Sequence, residues 1–104
     1  MESTDVSRLA DARSAELEVE FFVASARSRG ITLVRIVHGE GRRATLVRKL
    51  CRRMKKERRL VSFLEGELLS SDTPTARYLC ERFPVLADEA PSYGVTYLCL
   101  AEIA

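Results

Sequence analysis

Residues 31–59 constrain the fold more than any other part of the sequence. Ile31-Thr-Leu-Val-Arg-Ile-Val37 is a β-branched run of strand length, and His38-Gly39-Glu40-Gly41 ends it. From Arg42 onward the apolar residues return at helical spacing. A strand, a tight turn and an amphipathic helix in immediate succession demand a sheet with a helix laid back across it.

Within that helix Leu46, Val47, Leu50, Cys51 and Met54 recur at i, i+1, i+4, i+5 and i+8, which assigns one face to the core. The other positions carry Arg42, Arg43, Arg48 and Lys49, followed by Arg52, Arg53, Lys55 and Lys56. Residues 42–59 hold ten Lys/Arg against a single acid, Glu57, a local charge of +9. The remainder holds seven Lys/Arg against fourteen acids, or −7, so the net charge of +2 conceals a segregated surface. An ordinary solvated helix interleaves both signs for i, i+4 pairing, and this one does not. The cationic face is therefore expected to meet an anionic partner.

Before the strand, Leu17, Val19, Phe21, Phe22, Val23, Ala24 and Ala26 form a broad stripe at helical spacing over Ala15–Ser28. Gly30 is placed to end this helix as a left-handed cap. After the basic helix, Leu60-Val-Ser-Phe-Leu64 reads as a second strand. Ser70-Ser-Asp-Thr-Pro74 then supplies an N-cap and a proline at the first helical position of a short helix, with Ala76, Leu79, Cys80 and Phe83 on one side. Gly94-Val-Thr-Tyr-Leu-Cys-Leu100 is the last strand, and Val6–Leu9 is a candidate edge strand. The predicted order is (β)-α-β-α-β-(α)-β: an α/β two-layer sandwich with two main helices against a small mixed sheet. Strand order does not follow from the pattern.

At 104 residues the chain has room for one core, so a single domain over 1–104 is expected, with a helical segment inserted around 70–92. It contains no apolar run long enough to span a bilayer. The start mixes acids and bases, without a signal-peptide core or a transit-peptide composition, and the expected location is the cytoplasm. Cys51, Cys80 and Cys99 lie in apolar patterns without a Cys-x-x-Cys pair or a Cys/His cluster. They are expected to be buried thiols in a reducing compartment, with no metal site. All four phenylalanines, Phe21, Phe22, Phe63 and Phe83, fall on expected core faces.

A helix, the strand Arg29-Gly-Ile-Thr-Leu-Val-Arg-Ile-Val-His-Gly-Glu-Gly41 and a basic helix containing Leu46-Val-Arg-Lys-Leu50 together resemble the small MutS-related, or Smr, domain family. Tyr93-Gly-Val-Thr-Tyr-Leu-Cys-Leu100 is similar to that family's glycine-led final strand. The resemblance implies an α/β sandwich of βαβαββ order and binding to nucleic acid or ribosomes, with cleavage of DNA or RNA in some members. The family's opening Leu-Asp-x-His-Gly is represented only by Asp5-Val-Ser-Arg-Leu9, without the histidine or the glycine. Cleavage would then rest on His38, the one histidine of the chain.

Three readings of function follow. In the leading one, His38, Gly39 and Gly41 form a phosphate-contacting turn at a helix N-terminus, backed by Arg42 and Arg43. Arg48, Lys49, Arg52, Arg53, Lys55 and Lys56 supply the rest of a nucleic-acid surface, with RNA favoured over DNA by the resemblance alone. The second is an endonuclease with His38 as general acid or base. No cofactor is expected unless cleavage uses a divalent metal, to which Asp5 or Asp11 would be the nearest acids. The third is a module whose basic helix docks on an acidic or ribosomal protein partner. A membrane surface ranks below these, because the helix's apolar face is needed to cover the sheet.

Overall fold

A computed structural model of the chain describes residues 1–102, so the last two positions of the domain expected over 1–104 lie outside the described residues. In chain order the elements are β1 (Glu2–Asp5), α1 (Ala12–Ser28), β2 (Leu33–Val37), α2 (Arg42–Lys56), β3 (Ser62–Glu65), α3 (Pro74–Arg82) and β4 (Val95–Cys99). Single 3-10 turns occupy Gly66–Leu68 and Pro84–Asp88. The sheet order is β1-β2-β4-β3. β1 runs parallel to β2, and β4 runs antiparallel to both β2 and β3. The crossover through α2 thus leaves a one-strand gap beside β2, and the returning chain fills it with β4.

The apolar β2 and β4 take the two central positions, as their composition demands. Side chains alternate between two cores. Val34, Ile36 and Leu98 face α1 and α2, meeting Val19, Val23, Leu50 and Met54. Leu33, Leu64, Tyr97 and Cys99 face the other way, under Ala76, Leu79, Phe83 and Leu86. The two main helices therefore share one face, and the segment from α3 to the second 3-10 turn covers the opposite one.

Several boundaries differ from expectation for local reasons. The edge strand lies at Glu2–Asp5 rather than Val6–Leu9. The Val6 N–H makes the last ladder bond, to the Val37 carbonyl, at 2.8 Å. The Asp5 carboxylate then accepts from the Ser7 N–H at 2.8 Å and turns the chain away. Helix α1 starts at Ala12 because Asp11 caps it, accepting from the Ser14 N–H at 2.7 Å. Phe21 is 73% exposed rather than buried, because the seated stripe of α1 is Ala15, Val19, Val23 and Ala26, and Leu17 and Phe21 lie off it. Cys80 is exposed as well, while Cys51 and Cys99 are buried. Helix α3 seats Ala76 and Leu79, and the next residue is turned about 100° away.

Candidate functional site

The C-terminal end of β2, the start of α2 and the start of β4 meet at one end of the sheet. Gly39 and Gly41 both have positive φ, 75° and 80°. That backbone folds the turn tightly enough for the Gly94 carbonyl to accept from the N–H groups of both His38, at 2.8 Å, and Gly39, at 3.1 Å. The two strands approach so closely here that a Cβ on Gly94 would lie 3.3 Å from the Gly39 Cα. Gly41 caps α2 without a side-chain bond, so the first-turn N–H groups of α2 remain available to solvent or to an anion.

His38 itself turns inward, only 1% exposed. Its Nδ1 lies 2.6 Å from the Gly39 carbonyl and its Nε2 lies 2.8 Å from Thr96 Oγ1. A carbonyl can only accept, so Nδ1 carries the proton of the neutral ring and Nε2 accepts from the Thr96 hydroxyl. Thr96 Oγ1 in turn accepts from Arg48 Nε at 3.3 Å, and Arg48 donates twice to the Glu67 carboxylate, at 2.6 and 2.9 Å. Burial holds His38 below its ordinary pKa, which preserves the neutral tautomer the network requires. A phosphate-facing or proton-transferring His38 does not agree with this arrangement, since both ring nitrogens are engaged inside the fold. His38 locks the turn to β4.

The cations of α2 divide into two groups. Arg43 donates to the carbonyls of Val6, at 2.6 Å, and Leu9, at 3.2 Å, tying α2 to the chain after β1. Arg48 is the centre of the buried network, its side chain 15% exposed. Arg53 lies 3.3 Å from Glu16 and 3.2 Å from Glu20 on α1, and Arg59 shares Glu20. The segregation of charge along the sequence is thus partly neutralised in space, because acids of the negative remainder face the basic helix. Arg42, Lys49, Arg52, Lys55 and Lys56 are exposed and have no ion-pair partner among the described residues.

Four of these five free cations, all but Arg42, therefore lie on the C-terminal half of α2. There Lys49, Arg52, Arg53, Lys55 and Lys56 rim an open groove whose remaining wall is Phe63 of β3.

Sequence reasoning missed Thr96, Glu67 and the pair Glu16 and Glu20. The last was readable: two acids at i, i+4 beside an apolar stripe mark the edge of a helix that will face another helix. Glu67 carried no such signal. Among the acids considered for a metal, Asp5 bonds Ser7 and Asp11 caps α1. No group of three or more His, Cys, Asp or Glu able to hold a metal occurs among the described residues. Burial pushes the Cys51 thiol up to about 12, so it is no nucleophile. No helix of the described residues is long and apolar enough to cross a membrane.

Comparison with known proteins adds two findings. The family model described as the Smr domain matches residues 5–68. The crystal structure of the Smr domain of Thermus thermophilus MutS2 superposes with a TM-score of 0.66 at 24% identity, covering 98% of this chain and 100% of that one. At that identity the likeness speaks for the fold. No curated protein matches the sequence.

Proposed function

The chain belongs to the Smr domain family, and on that premise we propose that it is a nucleic-acid-binding domain, with RNA preferred to DNA, which holds its ligand on the free cations of α2. The observation that carries this reading is the set Arg42, Lys49, Arg52, Lys55 and Lys56, five exposed cations on one helix that the fold leaves without partners although it pairs Arg48, Arg53 and Arg59. Solubility alone gives no reason to keep them on one side. Counter-ion release gives one, because each phosphate neutralised by such a group frees a condensed ion.

The preference for RNA rests on the resemblance of the turn and flanking elements, not on a contact. Gly41 and the uncapped start of α2 remain available to a terminal or looped phosphate, with Arg42 beside them, whereas the Gly39 N–H is already given to the Gly94 carbonyl. Cleavage through His38 is the weaker reading, because the ring would have to give up its bonds to Gly39 and Thr96 to reach a substrate.

The test is a titration with a fluorescent RNA and a DNA of the same sequence, comparing wild type with Lys49→Ala/Arg52→Ala/Lys55→Ala/Lys56→Ala at two salt concentrations. The variant is expected to bind at least tenfold more weakly at low salt. Equal affinity of both proteins for both nucleic acids, or no binding by either, would sink the reading.

A further inference from the structure

The free cations of α2 border an aromatic side chain, which narrows the kind of nucleic acid they suit. Phe63 sits on β3, an edge strand of the sheet, and only its inner part packs against the core shared by α1 and α2. Among the described residues no strand lies beyond β3. The outer part of Phe63 forms a wall of the groove rimmed by Lys49, Arg52, Lys55 and Lys56. Long cationic side chains beside an aromatic often lie over its face and occupy it. Here they do not: the cation–π contact found among the described residues is Arg82 over Tyr78, on the far side of the sheet.

We infer that this groove is a single-strand site, in which Phe63 stacks an unpaired base while Lys49, Arg52 and Lys56 hold the flanking phosphates. Lys49, Arg52 and Lys56 follow one another at spacings of three and four and so line one stripe of the helix. A duplex offers the same phosphates but keeps its base faces stacked inside, so it gains nothing from Phe63. A single strand gains both contacts. The groove begins about 12 Å along the helix from Gly41 and extends to about 22 Å. It is therefore a second place of contact, separate from the glycine turn. The inference rests on the nucleic-acid reading above. An acidic peptide would satisfy the cations equally and is the competing occupant.

The sequence contains no tryptophan, so Phe63→Trp places a lone indole in the groove. Titration of that variant with a single-stranded RNA octamer is expected to quench its emission saturably, while the octamer annealed to its complement and a poly-glutamate peptide leave it unchanged. Phe63→Leu, which keeps apolar volume against the core, is expected to bind the octamer roughly five- to a hundredfold more weakly, with duplex binding unaltered. Salt-dependent RNA binding with no quenching and with Phe63→Leu equal to wild type would overturn the groove while leaving the nucleic-acid reading intact. Displacement of the octamer by equal concentrations of poly-glutamate would assign the groove to acidic peptides and overturn it too. Absence of any RNA binding by wild type would remove both.

Discussion

His38 Nε2 lies 2.8 Å from Thr96 Oγ1, joining the end of β2 to β4 across 58 positions of sequence. Because Nε2 accepts this bond from the Thr96 hydroxyl, protonation of the ring would reverse it and leave the buried hydroxyl proton without its acceptor. Burial already disfavours the charged ring, with Arg48 adding to that effect, the Gly39 carbonyl and Glu67 opposing it, and the folded-state pKa lying below the ordinary value of 6.5.

The sign of the pH dependence follows. Above pH 6.5 both folded and unfolded chains hold a neutral His38, and the full stability is present. Below it the unfolded chain takes up the proton first, so stability falls with pH until the folded-state pKa is reached. The shifted carboxylates Glu2, Asp5, Asp11 and Glu89 all move downward, away from this window. With one histidine in the chain, urea midpoints measured from pH 7.5 to 5 should decline in wild type and stay nearly flat in His38→Gln. An unchanged decline in the variant would remove His38 from the explanation.

Arg48 and Lys49 are neighbours in sequence with opposite expected phenotypes. Arg48 donates to Glu67, Thr96 and the carbonyls of Tyr93 and Val95, and the Arg48 and Glu67 side chains are 15% and 16% exposed. Arg48→Ala should cost about 1–3 kcal/mol by leaving the Glu67 carboxylate without its partner. Lys49→Ala should change stability by less than about 0.5 kcal/mol and instead weaken RNA binding. Chemical denaturation and RNA titration of the two single variants separate the roles. A stable Arg48→Ala that loses RNA affinity would return Arg48 to the binding surface.

That division also marks where the sequence stops being legible. The helical phase of Leu46, Val47, Leu50, Cys51 and Met54, the cap at Gly30 and the proline start of α3 are local patterns, and local patterns determine elements. The partners of Arg43 are two carbonyls after β1 and the charged partner of Arg48 is a carboxylate after β3, and no spacing along α2 contains them. The surroundings of His38 are illegible for the same reason. A histidine at a glycine turn has identical local chemistry whether it faces solvent or Thr96, and the difference is made by β4 entering between β2 and β3. Phe21 differs in another way: it lies two residues from both Val19 and Val23, about 200° around the helix from each, so a helix that seats those two turns Phe21 to solvent.

The ends of α1 and α2 are built alike from unlike residues. In α1 the Gly30 N–H reaches the Arg27 carbonyl and the Ile31 N–H the Ala26 carbonyl; in α2 the Arg58 N–H reaches Lys55 and the Arg59 N–H reaches Met54. Both place a left-handed residue after the helix, Gly30 at φ 76° and Arg58 at φ 61°. An L side chain is disfavoured there. Arg58→Gly should therefore stabilise the protein by about 0.5–1 kcal/mol, after allowance for the greater freedom of glycine in the unfolded chain. A urea titration showing a lower midpoint for the variant would mean that the Arg58 side chain contributes a contact worth more than the backbone relief.

The partition of the cations also sets the salt dependence of binding. Had all ten cations of residues 42–59 faced the ligand, a single strand would release on the order of seven counter-ions. Pairing inside the fold removes Arg43, Arg48, Arg53 and Arg59, and five of the remaining six, Arg42, Lys49, Arg52, Lys55 and Lys56, lie on α2. With about 0.7 counter-ions per phosphate contacted on a single strand, the slope of log affinity against log salt should be about −3 to −4. Removing Lys49 and Arg52 should shorten it by about 1.4. Breaking the pair between Arg53 and α1 with Glu16→Gln/Glu20→Gln should steepen it by about 0.7, because it releases a cation already at the groove rim. A slope unchanged by either variant would show that the ligand is held elsewhere than on α2.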